Sequence, residues 1–278
     1  MFTILFWNIK GKSPRSGIVE LLRQLDVDHS PDLVALAECE PTTAVALVRR
    51  VNRDRGRAPI AEVIGTKRVR LFWRGSSSQF TEQPEFLYPH ERFQLWVLDR
   101  GPRLGAVLLA PVHMISLLEK TTTDINQQLR QLTTEVRQAA RVIKQVVVFG
   151  DLNAHPFSEG VCQAGGLHGV MTPQLARGEH RPVVFQQSPM LFNPMWRFYG
   201  NQSPDPPGTY FRLGNGDELV YFWNLFDQFL ISPALLPYYR PDSVRILTGC
   251  TGTSFLKNGR PDADAASDHL PILMTLDC

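Results

Sequence analysis

The chain has 278 residues, of which 43% are hydrophobic and 20% are charged, and its 29 basic and 27 acidic side chains give a formal net charge of +2. This apolar fraction excludes an intrinsically disordered chain, because disorder requires low hydrophobicity together with high net charge. The near-neutral balance does not by itself favour a polyanionic partner. No apolar run reaches the roughly 20 residues that span a bilayer, so we expect no membrane partner.

The N-terminal segment is apolar but has no basic leader, and Asn8 interrupts it. These features indicate a buried strand rather than a signal peptide. Four cysteines lie far apart and form no C-x-x-C pair, which excludes a zinc knuckle and a redox motif: Cys39, Cys162, Cys250 and Cys278. We therefore expect free thiols and a cytoplasmic location.

The first part of the chain alternates strands and helices. Residues 2–9 form a β-rich run, and Ser16 is expected to cap a helix whose apolar face extends to Leu25. Residues 33–37 form a second apolar run, and Pro41 opens a second helix. Strand, helix, strand and helix in succession are typical of an α/β sheet.

The middle of the chain favours antiparallel pairing. Residues 69–73, 93–98 and 105–112 are strand-like, and residues 99–102 supply the turn between the last two.

A long amphipathic helix is expected next, capped by Asp124 and apolar as far as Ile143. Its basic side chains are expected to form a solvated face: Arg130, Arg137, Arg141 and Lys144. The apolar run at residues 146–149 is then typical of a central strand covered on both faces.

Residues 156–222 are rich in proline, glycine and aromatic residues and show no clean period. Regular patterning resumes at residues 226–231 and 271–276. Because there is no internal repeat or obvious linker, we expect one domain over residues 1–278, with the irregular stretch forming surface loops.

Polar residues follow or interrupt the apolar strands at several points of the chain. They are Asn8, Glu38, His113, Asp151, Asn153, Asp227, Asp268 and His269. Side chains placed where buried strands emerge can converge at one edge of a sheet. Oxygen ligands of this kind suit a hard cation, above all Mg²⁺, and the two histidines can transfer protons.

Each of these residues also has an ordinary structural explanation. Asp151 could form a turn or cap a helix, and Asn8 could be a turn residue. Glu38 and Glu40 could be solvated acidic residues at the start of a helix, and His113 could be a core histidine whose hydrogen bonds are made within the protein. The ordered set favours a functional site, since so many polar residues at strand ends are hard to explain as independent accidents.

The motifs that contain these residues resemble those of the endonuclease/exonuclease/phosphatase superfamily, the group of deoxyribonuclease I-like enzymes. In chain order they are Phe6-Trp7-Asn8-Ile9, residues 31–38 (PDLVALAE), Val112-His113, residues 149–154 (FGDLNA), residues 226–232 (FDQFLIS) and residues 267–272 (SDHLPI). Any one motif is weak, but G-D-x-N-A after an apolar strand together with S-D-H-x-P near the C-terminus is specific.

This resemblance implies a four-layer α/β/β/α sandwich, a mixed α/β fold of two packed mixed β-sheets flanked by helices. It also implies a divalent-metal-dependent phosphodiesterase that uses Mg²⁺, with Mn²⁺ as a possible substitute. Glu38 is implied as the main metal ligand, and Asn8 and Asp268 complete the metal environment.

The remaining motif residues take catalytic roles by the same resemblance. Asp151 and Asn153 would position the attacking water and the scissile phosphate, and Asp227 would orient His269. His113 would contact the phosphate and protonate the leaving group.

Two departures from the family pattern bear on these expectations. Lys10 stands where many members have an acidic or amide residue, and it could reach phosphate or be solvated. The glutamate that supports the second histidine in the deoxyribonuclease-like branch cannot be placed in this sequence. His113 is therefore a weaker prediction than His269.

The irregular stretch interleaves aromatic residues with arginines, which is one way to hold exposed bases and phosphates of a single strand. Trp196, Arg197 and Tyr210 are the substrate-binding candidates. A secondary core beneath the loops is an equally good explanation of the aromatic residues.

Three functions remain open at this point. The preferred one is a nuclease that hydrolyses DNA or RNA. The second is a phosphoesterase for a small or lipid-like phosphate, and the third is a catalytically silent binding module with the same fold. The retained polar set argues against the third, because a scaffold does not need it.

Overall fold

A computed structural model describes residues 1–54, 56–63, 68–82, 90–116, 120–183, 186–199, 206–214 and 220–278. Its strands in chain order are β1 (Phe2–Asn8), β2 (Leu33–Ala37), β3 (Ala61–Val63), β4 (Val69–Trp73), β5 (Phe80–Glu82), β6 (Trp96–Asp99), β7 (Ala106–His113), β8 (Gln145–Asp151), β9 (Gly169–Val170), β10 (His180–Val183), β11 (Gln186–Pro189), β12 (Leu191–Phe192), β13 (Tyr210–Phe211), β14 (Trp223–Asn224), β15 (Asp227–Ile231), β16 (Val244–Ile246), β17 (Gly249–Cys250), β18 (Thr253–Ser254), β19 (Leu256–Lys257), β20 (Arg260–Pro261) and β21 (Ile272–Leu276).

The helices are α1 (Ile18–His29), α2 (Pro41–Val51), α3 (Thr122–Ala139), α4 (Glu159–Cys162) and α5 (Pro173–Ala176). Short 3₁₀ segments cover Pro14–Ser16, Ser77–Gln79, Pro194–Phe198, Pro233–Tyr238 and Pro241–Ser243. Among the described residues, no helix has the length and apolar character needed to cross a membrane.

Two large mixed sheets dominate the fold. The first has the strand order β16-β21-β1-β2-β4-β3, and the second has the order β5-β6-β7-β8-β15-β12-β9. The parallel pairs are β1 with β2 and β7 with β8 in the centres of the sheets, and β12 with β9 at one edge. The predicted hairpin between β6 and β7 is present and antiparallel.

The two sheets pack face to face through aromatic side chains. Phe6 of the first sheet lies edge-on to Phe149 of the second, with ring centroids 6.5 Å apart, and Phe149 stacks on Phe229 at 5.9 Å. All three side chains are fully buried. Ring pairs of this kind contribute beyond the area that they bury, so they fix how the sheets sit on each other.

Helices cover the outer faces of both sheets. Leu22 and Leu25 of α1 belong to the same buried cluster as the first sheet. Ile125 and Leu129 of α3 pack with Val148 and its neighbours on the second. Helix, sheet, sheet and helix form the predicted four-layer sandwich, which is confirmed.

The predicted helix caps were wrong. Helix α1 begins after Gly17, which has φ +84°, and Ser16 instead ends the preceding 3₁₀ segment. Thr121 caps α3, and Asp124 is the third helical residue, whose carboxylate accepts a hydrogen bond from the Thr121 backbone N–H at 2.9 Å. This reciprocal arrangement is a capping box, in which the acidic residue follows the true cap.

The basic side of α3 is not uniformly solvated. Arg130, Arg141 and Lys144 are exposed as expected. Arg137 differs, because its guanidinium donates to the carbonyl oxygens of Ala164 and Gly166 at 2.6 and 3.0 Å. It therefore ties α3 to the loop between α4 and β9.

Candidate active site

The strand topology brings the polar strand ends to one edge of the sandwich. The carboxyl ends of β1 and β2 lie together because these strands are parallel neighbours, and the same holds for β7 and β8. The antiparallel strands β15 and β21 begin where β8 and β1 end, so residues just before or at their start reach the same edge. Residues from position 8 to position 269 therefore meet around one cavity.

Asp151 lies at the centre of this cluster and is 1% exposed. Its Oδ2 accepts a hydrogen bond from Asn8 Nδ2 at 3.1 Å, and its Oδ1 accepts one from the Asn153 backbone N–H at 2.9 Å. Asn153 has φ +47°, and its side chain donates to the Met114 carbonyl oxygen at 3.0 Å. The carboxylate is thus held in one orientation from two sides.

Glu38 is the carboxylate most open to the cavity, with 39% of its side chain exposed. Asn8 Nδ2 donates to its Oε1 at 3.3 Å, so one amide links Glu38 and Asp151. The backbone of Glu38 has φ +51°, which is unfavourable for a residue with a Cβ. Such strain persists only where the surrounding structure enforces it, and it is common in functional sites.

Asp227 and His269 form a buried pair, with Asp227 Oδ2 2.8 Å from His269 Nδ1. Burial lowers the pKa of His269, but the charge and hydrogen bond of Asp227 outweigh it and raise the pKa to about 10. The imidazole therefore carries a proton on Nδ1 toward Asp227 and presents Nε2 toward Asp151 Oδ2, 4.0 Å away.

His113 joins the site from the end of β7, directly opposite Asp151 in the strand pairing. Its Nε2 lies 3.5 Å from Glu38 Oε1 and 3.8 Å from Asp151 Oδ2. Its Nδ1 is buried and has no hydrogen-bond partner in the described part of the chain. This agrees with the sequence, where no supporting glutamate could be placed.

Lys10 and Asp268 form an ion pair at the rim of the cavity. The Lys10 ammonium lies 2.6 Å from Asp268 Oδ2, and this hydrogen bond raises the pKa of Lys10. The Lys10 side chain remains 52% exposed. The residue that departs from the family pattern therefore belongs to the site, and it neutralises one of the predicted metal ligands.

The donor set fits a divalent cation. Asn8 turns its amide nitrogen toward Glu38 and Asp151, and its Oδ1 accepts the Lys10 backbone N–H at 3.0 Å, so it orients these carboxylates. Glu38, Asp151 and Asp268 place three carboxylates around one cavity. Hard oxygen donors of this kind suit Mg²⁺ or Mn²⁺. Asp151, Asp227 and His269 also place ligand atoms within 4.8 Å of one another. Since Asp227 and His269 already bond each other, the Glu38 side of the cavity is the more available position.

The three substrate-binding candidates occupy different places. Tyr210 lines the cavity, and its ring lies 4.8 Å from the His269 ring. Trp196 is not among the lining residues and packs behind Phe157, with ring centroids 6.5 Å apart. Arg197 is exposed and lies 3.5 Å from Asp242, also outside the cavity lining.

Sequence reasoning missed three aromatic residues that line the cavity: His155, Phe157 and Tyr221. Their side chains are in ring contact with one another. The run His155-Pro156-Phe157 directly after the G-D-x-N-A motif was a signal that could have found the first two.

The similarity of the chain to known proteins agrees with the geometry of the site. The model of the Endonuclease/Exonuclease/phosphatase family matches residues 5–269. No curated protein gives a significant match to the chain.

Several solved structures are similar over the whole chain. TDP2 from D. rerio, complexed with a single-strand DNA product, is 19% identical with a TM-score of 0.60, over 100% of this chain and 99% of that chain. TDP2 from C. elegans is 16% identical with a TM-score of 0.59, over 100% and 75%. The 3'-5' exonuclease NExo from Neisseria meningitidis is 16% identical with a TM-score of 0.58, over 100% of both chains. At these identities the likeness shows the fold.

Proposed function

This chain belongs to the endonuclease/exonuclease/phosphatase family, and from that membership we propose that it is a divalent-metal-dependent phosphodiesterase that hydrolyses DNA or RNA. The observation that carries the proposal is the cavity itself, where Asp151, the Asp227–His269 pair and the open carboxylate of Glu38 converge. The similar structure of TDP2 from D. rerio contains a single-strand DNA product, which supports nucleic acid as the substrate.

We infer that Glu38 and Asp268 would hold the metal ion, and that Asn8 would complete its environment by orienting Glu38 through the Nδ2–Oε1 hydrogen bond. A divalent cation held there would offset the negative charge of a phosphodiester, which otherwise repels a nucleophile. Mg²⁺ is the expected ion, with Mn²⁺ as a substitute.

The protein's own groups then orient and protonate the reactants. Asp151 is fixed by Asn8 and the Asn153 backbone, and it would accept a proton from the attacking water. His269 carries its proton because Asp227 stabilises the charged ring, so its Nε2 would donate to a phosphate oxygen. His113 lies on the other side of Asp151, where it would donate to the leaving oxygen.

A substrate panel tests the proposal. Single-stranded DNA, duplex DNA, abasic duplex and RNA are incubated with Mg²⁺, alongside an inositol phosphate and sphingomyelin. We expect cleavage of at least one nucleic acid, abolished by EDTA. Asp151→Ala should slow it by about 10² to 10⁴-fold, the usual range for a positioned acid or base.

Asp242→Ala is the matched control, because Asp242 is 96% exposed and lies outside the cavity lining. Full activity of Asp151→Ala would contradict the assignment. Hydrolysis of only the inositol phosphate or sphingomyelin, seen as release of phosphate or of phosphocholine, would select the phosphoesterase, and hydrolysis of none would leave a binding module.

A further inference from the structure

A continuous path of aromatic rings leads away from the catalytic histidine along one side of the cavity. The ring of His269 contacts Tyr210 at 4.8 Å, and Tyr210 stacks on Phe226 at 5.7 Å. Phe226 contacts His155 at 5.2 Å, and His155 stacks on Phe157 at 4.8 Å. The phosphate-processing end of the cavity is therefore joined to an aromatic surface.

The far end of this path is built by His155, Phe157 and Tyr221, which we call the aromatic wall. The rings of His155 and Phe157 are parallel within 4°. Tyr221 meets them at 4.9 and 5.8 Å. Phe157 and Tyr221 are 43% and 50% exposed although they are large and apolar. Exposed aromatic groups clustered in a cavity indicate a binding surface rather than a core.

His155 of the aromatic wall is held by hydrogen bonds on its backbone and its ring. The His155 backbone N–H donates to Ser158 Oγ at 3.0 Å, and the Ser158 N–H donates back to the His155 carbonyl at 2.9 Å. His155 Nδ1 lies 3.2 Å from the Tyr199 hydroxyl. Burial lowers the pKa of His155 to about 4, so the ring is a neutral aromatic surface at physiological pH.

The cavity lining favours a flat polar ring over a lipid chain. The cavity has a volume of about 550 Å³, and the aliphatic residues among its described lining are Ile125, Ala154 and Val220. An acyl chain needs a longer aliphatic surface. Asn126 and Asn224 add amides to the lining, and both already bond the protein, since Asn126 Oδ1 accepts the Gly160 N–H at 3.0 Å and Asn224 Nδ2 donates to the Phe222 carbonyl oxygen at 3.0 Å.

We propose that the aromatic wall is a base-binding subsite, which stacks the base of an unpaired nucleotide while its phosphate lies at Asp151 and His269. This inference rests on the proposed function. A base within a duplex has both faces covered by its neighbours, so only a single-stranded, terminal or extruded base can use the wall.

The test measures binding separately from cleavage. Single-stranded pentanucleotides carry 2-aminopurine at each position in turn, and binding is measured in EDTA by anisotropy and fluorescence quenching. We expect one position to be quenched, and an abasic nucleotide there to weaken binding by about 5- to 150-fold, as stacking of one base implies. A matching duplex should show no quenching.

Phe157→Ala and Tyr221→Ala should weaken binding of the normal strand. In these variants the normal strand and the abasic strand should bind with the same affinity. Phe157→Trp should restore base dependence, which shows that the loss is not due to misfolding. Phe222→Ala is the matched control, because Phe222 is 52% exposed but lies outside the cavity lining and packs on Phe211.

Each result decides one question. Unchanged discrimination between the normal and abasic strands in Phe157→Ala and Tyr221→Ala would overturn the base-binding subsite, and so would failure to bind any strand. Base-dependent binding without cleavage in Mg²⁺ would support the subsite and contradict the nuclease. Cleavage at equal rates with and without the base would support the nuclease and overturn the subsite.

Discussion

Lys10 adds one positive charge to the site. Its ammonium pairs with Asp268 at 2.6 Å, and the Asp227–His269 pair is neutral whichever partner holds the proton. Glu38 and Asp151 remain as carboxylates, with the His113 imidazole 3.5 and 3.8 Å away from them. One divalent cation is enough to balance them.

Removing this lysine should strengthen metal binding. In Lys10→Gln the Asp268 carboxylate loses its cationic partner, and we expect the affinity for Mg²⁺ or Mn²⁺ to rise by about 1 kcal/mol, or roughly 5-fold. Isothermal titration of the metal into the protein measures it. Lys12→Gln is the control, since the Lys12 ammonium contacts the Ala263 and Asp264 carbonyls rather than a site carboxylate. An equal or weaker affinity in Lys10→Gln would show that Lys10 does not compete with the metal.

The site residues that sequence reasoning identified share one property, which is that they stand at the ends of apolar runs. Asn8, Asp151 and Asp227 could be located because a polar residue in a buried strand end is conspicuous. The contact between Phe157 and Tyr221 could not be predicted in the same way, because the two residues are distant in sequence and meet only through loop packing. Their contact depends on how the loops fold back, which carries no periodic signal.

At the scale of elements, the pairing of β7 with β8 places His113 opposite Asp151. Gly150 makes this pairing possible, because it has φ +133° and a Cβ there would lie 2.1 Å from the Val112 carbonyl oxygen. The glycine of the G-D-x-N-A motif thus serves the close approach of two backbones.

Gly150→Ala should therefore disrupt the site through the sheet. We expect a loss of stability of about 2 kcal/mol or more, from backbone strain and overlap, and a lower melting temperature by calorimetry. Gly165→Ala is the control, because nothing lies within 4 Å of the Cβ position at Gly165. Equal melting temperatures for the two variants would show that β7 and β8 separate at little cost.

The elements were predictable to different degrees. Strands such as β1, β2 and β8 follow directly from short apolar runs. The starts of α1 and α3 could not be predicted in this way. Ser16 and Asp124 are residue types that often cap helices, but other residues cap these two. The local backbone conformation decides which residue caps a helix. Gly17 determines it at the start of α1, and the reciprocal hydrogen bonds of Thr121 and Asp124 determine it at the start of α3.

At the scale of the whole molecule, the net charge of +2 contains little information about the cavity. Lys10 and Arg212 are the lysine and arginine among the described lining residues, so few phosphates can be neutralised there. The convergence of residues 8 to 269 on this cavity supports our proposal that the chain forms one domain.

Binding of single-stranded DNA should consequently depend only weakly on salt. With about 0.7 counterions released per phosphate contact, we expect a slope between about −1 and −2 in a plot of log affinity against log salt. Titrations in EDTA at several KCl concentrations measure it. A slope steeper than about −4 would mean that basic residues outside the cavity hold the strand.

The pairing of β1 with β21 also determines when the site forms during folding. Phe2 lies opposite Leu276, and the hydroxyl of Ser267, which directly precedes Asp268 and His269, donates to the Asn8 carbonyl oxygen at 2.7 Å. Contacts of such high sequence separation form slowly, because a long loop must close first. A chain still being synthesised lacks Asp268 and His269, so the proposed active site is complete only after the final strand has docked.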